Sequence, residues 1–220
     1  MRSEQEEGTR GSLKWVQRLL DRHPALLSDA LLKSGGIGAE ETIDWVSPRR
    51  DDGWAEYRDA KFLERIGHPE LGAELQAFWP RRGPQWDALG RGSNGTVVLV
   101  EAKAHIGELS STCEASPDSR GIIERALTTT KEKLGINSES DWTTGYYQYA
   151  NRLAHAQFLR DHGIPTTLVF LYFINADMGG PNTEAEWKEA LKPVHRHLGL
   201  KASGHPLGVM NIFIDSRQLQ

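Results

Sequence analysis

Thr96-Val97-Val98-Leu99-Val100-Glu101-Ala102-Lys103-Ala104-His105 reads as a β-strand with two unlike faces. Alternate residues of a strand share a face. Val98, Val100, Ala102, Ala104 and Ile106 then form an apolar set, and Leu99, Glu101, Lys103 and His105 form the other. A carboxylate, an ammonium and an imidazole are thereby gathered on one side of a strand otherwise built for a core. Charges beside a buried strand cost several kcal/mol unless they are paired or bind something. That cost makes this face a candidate site.

Working upstream, Gly90-Arg91-Gly92-Ser93-Asn94-Gly95 is a turn that joins this strand to residues 85–89 as a hairpin. It opens no helix, so it is not a phosphate-cradling loop. Asp87, fourteen residues before Glu101, falls beside it on the partner strand. Two neighbouring carboxylates repel unless a cation lies between them, and a hard divalent ion such as Mg²⁺ takes oxygen ligands of this kind. Lys103, two residues beyond Glu101, is placed to hold or deprotonate a water attacking a phosphate.

Downstream, the pattern predicts a helix over about 119–134 and a longer one over about 143–162, closed by Gly163. Thr166-Thr-Leu-Val-Phe-Leu-Tyr-Phe-Ile174 follows as a strand whose unbroken apolar run implies burial on both faces. Thr183 and Glu186 form a capping box for a helix reaching Leu198, and 209–214 is a last strand. Before the hairpin, Leu13, Val16, Leu19 and Leu20 recur at helical spacing behind Ser12, and 24–33 is a second short helix stopped at Gly35–Gly36. A short strand is expected at 42–46, a helix at 54–66, and either a strand or a helix end at 75–79. This order predicts an α/β layered domain. It divides into a flexible tail over 1–12, an N-terminal helical extension over 13–50 and a main domain over 51–220.

Composition narrows the class. The chain has 220 residues, 38% hydrophobic and 25% charged, which is ordinary for a globular protein. Its single cysteine, Cys113, excludes an internal disulfide framework and a thiolate zinc site, and suits a reducing compartment. With 26 basic against 30 acidic side chains the net charge is −4, which tells against a wholly basic nucleic-acid coat protein but not against an enzyme with one local basic patch. The longest apolar run is too short for a bilayer and the opening residues are polar, so a cytoplasmic protein without membrane contact is expected. No GxGxxG follows a strand, and no G-x-S-x-G elbow is present.

Asp87 followed by Glu101-Ala102-Lys103 at a strand end resembles the PD-(D/E)xK, or restriction-endonuclease-like, nuclease superfamily over about 54–174. The resemblance implies an αβββαβ core with a mixed central sheet flanked by helices, and hydrolysis of DNA phosphodiester bonds with Mg²⁺ or Mn²⁺. It implies that Asp87, Glu101 and the Ala102 carbonyl hold the metal and that Lys103 is the catalytic lysine. It further implies an acid from the first core helix, for which Glu56 fits, with Glu64 as rival. The helix Tyr147-Gln148-Tyr149-Ala150-Asn151-Arg152-Leu153-Ala154-His155 is similar to the glutamine-bearing helix of the RecB-like branch, which makes Gln148 an assisting residue. Gln148, Arg152 and His155 share one helical face. Trp86 stands where the family's proline usually precedes the aspartate, and Arg152 where that branch has tyrosine. The bare [DE]xK pattern occurs three times, at Asp59, Glu101 and Glu186, but the outer two fall in helical patterns that set the side chains about 200° apart.

Other residues carry two readings each. His105 either meets substrate or metal, or caps the strand end. Tyr147 and Tyr149 either stack on bases or belong to the core. Arg152, with Arg81 and Arg82 ahead of the hairpin, either contacts backbone phosphates or is structural. His195 and His197 point apart on a helix and suit its C-terminal dipole rather than a metal, and Trp142 and Trp187 are expected in the core. For the whole chain, the alternatives to a nuclease are a catalytically idle nucleic-acid-binding protein or an interaction module on the same fold. A homodimer stays open.

Overall fold

Nine consecutive residues, Thr166–Ile174, are buried at all but the last position, which only a central strand between two layers allows. In the computed structural model, which describes residues 1–200 and 208–220, this strand is β6 of a five-stranded mixed sheet. The sheet runs in the order β2 (Ile43–Ser47), β4 (Ala88–Gly92), β5 (Val97–Lys103), β6 and β7 (Met210–Asp215). The pairs β2–β4 and β4–β5 are antiparallel, whereas β5–β6 and β6–β7 are parallel. Each parallel step needs a crossover. The first is made by α5 (Pro117–Lys133) and α6 (Tyr147–Asp161), the second by α7 (Glu184–Leu198). Among the described residues the chain is therefore an α/β protein with helices on both faces of a mixed sheet.

Alternation along the strands sorts the two layers. Leu99, Leu168, Phe170 and Tyr172 face one cluster, filled by α6 with Leu153 and Leu159, by α5 with Leu127, and by α3 (Ala60–Ile66) with Phe62 and Leu63. Val98, Val100, Ala102, Val169, Leu171 and Phe173 face the other, covered by Trp15, Val16, Leu19 and Leu20 of α1 (Gly11–Arg22) and Leu27 and Leu31 of α2 (Pro24–Lys33). The N-terminal helices, expected as an extension, are thus one of the two layers that close the core.

Residues 54–59 depart from the expected helix, which forms only over Ala60–Ile66. Trp54 and Asp59 have positive φ, 52° and 53°, which breaks a helical path. Between them Glu56–Tyr57 forms a short strand, β3, paired antiparallel with β1 (Arg2–Ser3), Ser3 opposite Glu56. Residues 1–12 are consequently no simple tail, because their first strand supports β3. The ambiguous 75–79 stretch is the end of a helix, α4 (Gly72–Phe78). The helix expected from 143 starts at Tyr147, because Asp141 holds Thr143 through both its backbone N–H and its hydroxyl. Thr183 does cap α7, accepting from the Glu186 N–H, while the Glu186 carboxylate reaches back to the Asn182 N–H. No helix among the described residues is long and apolar enough to cross a membrane.

Candidate functional site

The hairpin register places Ala88 opposite Val100 and Leu89 opposite Leu99. One step further carries Asp87 opposite Glu101. Strand β5 runs on to Lys103 after β4 has started at Ala88, so its edge on that side lacks a pairing strand there. Asp87 fills part of the gap, its Oδ2 accepting the Ala102 N–H at 2.7 Å. The N–H and C=O of one strand residue point to the same edge, so the Ala102 carbonyl lies on the Asp87 side as well.

Charged groups collect here in numbers that need explaining. Glu101 is 3% exposed, Arg152 5%, Glu56 7% and Lys103 9%. Lys103 Nζ donates to Glu101 Oε1 at 2.6 Å and to Gln148 Oε1 at 2.9 Å. Arg152 Nε donates to Glu101 Oε2 at 2.7 Å. Glu56 Oε2 accepts from the side-chain amides of Gln85 at 2.6 Å and Gln5 at 3.2 Å. Such a cluster survives burial because its members are paired.

The pairing is uneven. Burial pushes the Glu101 carboxyl up, but Arg152 and then Lys103 outweigh it and hold it below its ordinary value. For Lys103, burial favours the neutral amine, yet Glu101 and Asp87 raise it above the usual ammonium range, so it is a cation at neutral pH. Asp87 forms no direct ion pair among the described residues. Desolvation, then Glu101 and Glu56, push it well above the usual carboxylate value, Lys103 and the Ala102 N–H only partly opposing. Glu56 is raised by burial and by Glu101 against the hydrogen bonds from Gln85 and Gln5. The site is short of positive charge around Asp87 and Glu56.

That deficit and the donor set fit a divalent cation. Asp87, the Ala102 carbonyl and Glu101 through Oε1 supply the hard oxygen ligands that Mg²⁺ or Mn²⁺ takes, provided Lys103 releases Oε1. Among the described residues no group of three His, Cys, Asp or Glu side chains stands in a metal-holding arrangement. The fit therefore rests on two carboxylates and a backbone oxygen.

The remaining candidates separate. Glu56 joins the site from β3, not from the helix expected to carry it. Glu64 is exposed and ion-paired with Lys61 at 2.6 Å. Gln148, in the first turn of α6, is anchored by its own N–H to the Ser111 hydroxyl at 2.8 Å. His105 caps not the strand end but the 3-10 turn Ile106–Leu109 that follows it, its Nδ1 accepting the Gly107 N–H. Arg81 and Arg82 are exposed on a loop whose Arg82 and Gly83 N–H groups bond the Asp59 carboxylate. They line a different cleft of about 680 Å³ with Trp79 and His155, and neither Asp87 nor Glu101 lines it. His155 is buried between Trp79 and Trp86, and burial lowers its pKa to about 3. Tyr149 stacks on Phe170 at 3.7 Å and belongs to the core, as do Trp142 and Trp187.

Sequence reasoning missed four supporting residues. Gln5 and Gln85 hold Glu56, Asn151 Oδ1 accepts from Arg152 Nη1 at 2.7 Å, and the Arg152 guanidinium lies over the Trp86 ring at 5.0 Å. Trp86, standing directly before the aspartate, was the one visible signal. Comparison with known proteins adds no relative: no family model, no curated protein and no solved structure matches the chain.

Proposed function

We propose that the chain is a metal-dependent nuclease that hydrolyses DNA phosphodiester bonds on a restriction-endonuclease-like core. The observation that carries this is the meeting of Asp87, Glu101 and Lys103 on one face at one end of the sheet, with Asp87 only partly compensated by Lys103. The sheet supports it in part, since β4 and β5 form an antiparallel hairpin and β6 joins β5 in parallel across a helical crossover, although α3 and α4 intervene between β2 and β4.

Asp87, Glu101 through Oε1 and the Ala102 carbonyl would hold Mg²⁺ or Mn²⁺. When bound, that ion supplies Lewis acidity to the phosphate and a lowered pKa to water. Lys103 acts as a cation, donating to the attacking water or a phosphate oxygen, because its raised pKa disfavours a general-base role. Gln148 gives the displaced Lys103 ammonium a second acceptor. Glu56, more exposed to protonation than an ordinary carboxylate, is suited to take a proton near the site. Water oxygen bonds to phosphorus as its proton passes to Glu56, the P–O bond to the leaving sugar oxygen breaks, and that oxygen takes a proton from solvent.

The test is nicking of supercoiled plasmid with Mg²⁺ by the native chain and by Lys103→Met, which keeps the aliphatic stem. Native nicking reduced at least about 100-fold in the variant, as expected for loss of an electrostatic catalytic group, supports the mechanism, and undiminished nicking overturns it. One observation favours the idle-binder alternative: both Glu101 oxygens are already in ion pairs. DNA binding by the native chain with no nicking in either metal would select that alternative.

A further inference from the structure

Resting on the nuclease proposal, we infer that this site takes one divalent ion rather than two, because Arg152 is a built-in cation on the side of Glu101 that a second ion would need. Two-metal phosphodiesterases set their ions about 3.5–4 Å apart, a separation that a carboxylate spans by placing one oxygen on each ion. Glu101 has only one to offer. Its Oε1 is held by Lys103, whose flexible stem and alternative acceptor on Gln148 let the ammonium move aside. Its Oε2 accepts from Arg152 Nε at 2.7 Å and pairs with Nη2 at 2.5 Å.

Arg152 itself is fixed. Nη1 bonds Asn151 Oδ1 at 2.7 Å, Nη2 bonds the Gln85 carbonyl at 2.9 Å, and the guanidinium lies over Trp86. All three nitrogens are engaged by the protein, which holds the guanidinium in place beside Glu101. A guanidinium is a permanent, planar cation suited to such a buried fork. Charge agrees with geometry. Glu56, Asp87 and Glu101 oppose Lys103 and Arg152, an excess of one negative charge when all are ionised. One divalent ion turns that into a single positive charge, favourable for an incoming phosphodiester. A second would leave a triple positive charge in desolvated surroundings.

The experiment counts Mn²⁺ on the purified full chain without DNA, by calorimetric titration and by electron paramagnetic resonance. The native chain is expected to bind one ion per chain with the spectrum of an isolated centre. Arg152→Gln is expected to bind a second and to develop an exchange-coupled spectrum, whereas Arg152→Lys stays at one. Two ions on the native chain with cleavage intact overturn the inference alone, and no ion on the native chain overturns both it and the nuclease proposal. A folded Arg152→Gln variant that still binds one ion also overturns it. Should that variant not fold, the native count and Arg152→Lys decide: one ion on each supports the inference, and two on either overturns it.

Discussion

At the scale of single residues the site trades stability for a place to put charge. Asp87 is held well above its ordinary value by burial and by Glu101 and Glu56. A raised carboxylate binds its proton more tightly in the fold than in the unfolded chain. It therefore favours the fold at low pH, and that contribution is lost as pH rises through the folded pKa. At neutral pH without metal its ionised form is a strain. Asp87→Asn keeps an oxygen to accept the Ala102 N–H and is expected to stabilise the metal-free protein by about 0.5–2 kcal/mol, read from the urea midpoint in EDTA. The same variant should lose metal-dependent nicking; an unchanged or lower midpoint would show that Asp87 is not strained. Glu101 is the converse case. Arg152 and Lys103 hold it low against burial, so it stabilises the fold above its unfolded value and that support is lost as pH falls through the folded one. The trio Asp87, Glu101 and Lys103 was legible beforehand because strand alternation and a short hairpin dictate which side chains meet. The role of Arg152 was not. Its partners Glu101, Gln85 and Trp86 lie 51 to 67 residues away along the chain.

At the scale of elements, two strands of unequal reach create the opening at Asp87, and a pair of helices makes the sheet viable. The layer of α1 and α2 covers Val98, Val100 and Ala102, the residues that back the charged face of β5. A chain beginning at Asp51 would lose that layer together with the edge strand β2. It is expected to show no cooperative urea transition, and a cooperative transition near that of the full chain would demote α1 and α2 to an appendage. A milder version is Leu19→Ala in α1, expected to cost about 2–5 kcal/mol as a fully buried leucine truncation. Helix spacing in 13–33 was visible in the sequence, but not which surface the apolar stripe meets. Glu56–Tyr57 is the opposite failure. Two residues hold no periodicity, and only pairing with Arg2–Ser3 makes them a strand.

For the molecule as a whole, buried imidazoles should make mild acid destabilising. Burial lowers His155 to about 3 and lowers His195 as well. His155 is neutral in the fold at pH values where the unfolded chain is protonated, below about pH 6.5, and His195 shifts in the same direction. No penalty exists above that value, and it grows as pH falls until the folded pKa is passed, with His155 contributing about 1.4 kcal/mol per pH unit. Unfolding free energies measured between pH 7 and 5 should fall accordingly, with a shallower slope in His155→Asn; equal slopes would place the titration elsewhere. Taken by itself, the order of residues determined the five strands of the main sheet, most of the helices, and the placing of two carboxylates and an amine on one face of a hairpin. These depend on local spacing and near-neighbour turns. Only the tertiary structure decided that the first helices are half of the core, that Glu56 arrives on a strand, and that Arg152 neutralises Glu101. Those outcomes depend on which distant surfaces exclude water together, and spacing along a chain does not carry that information.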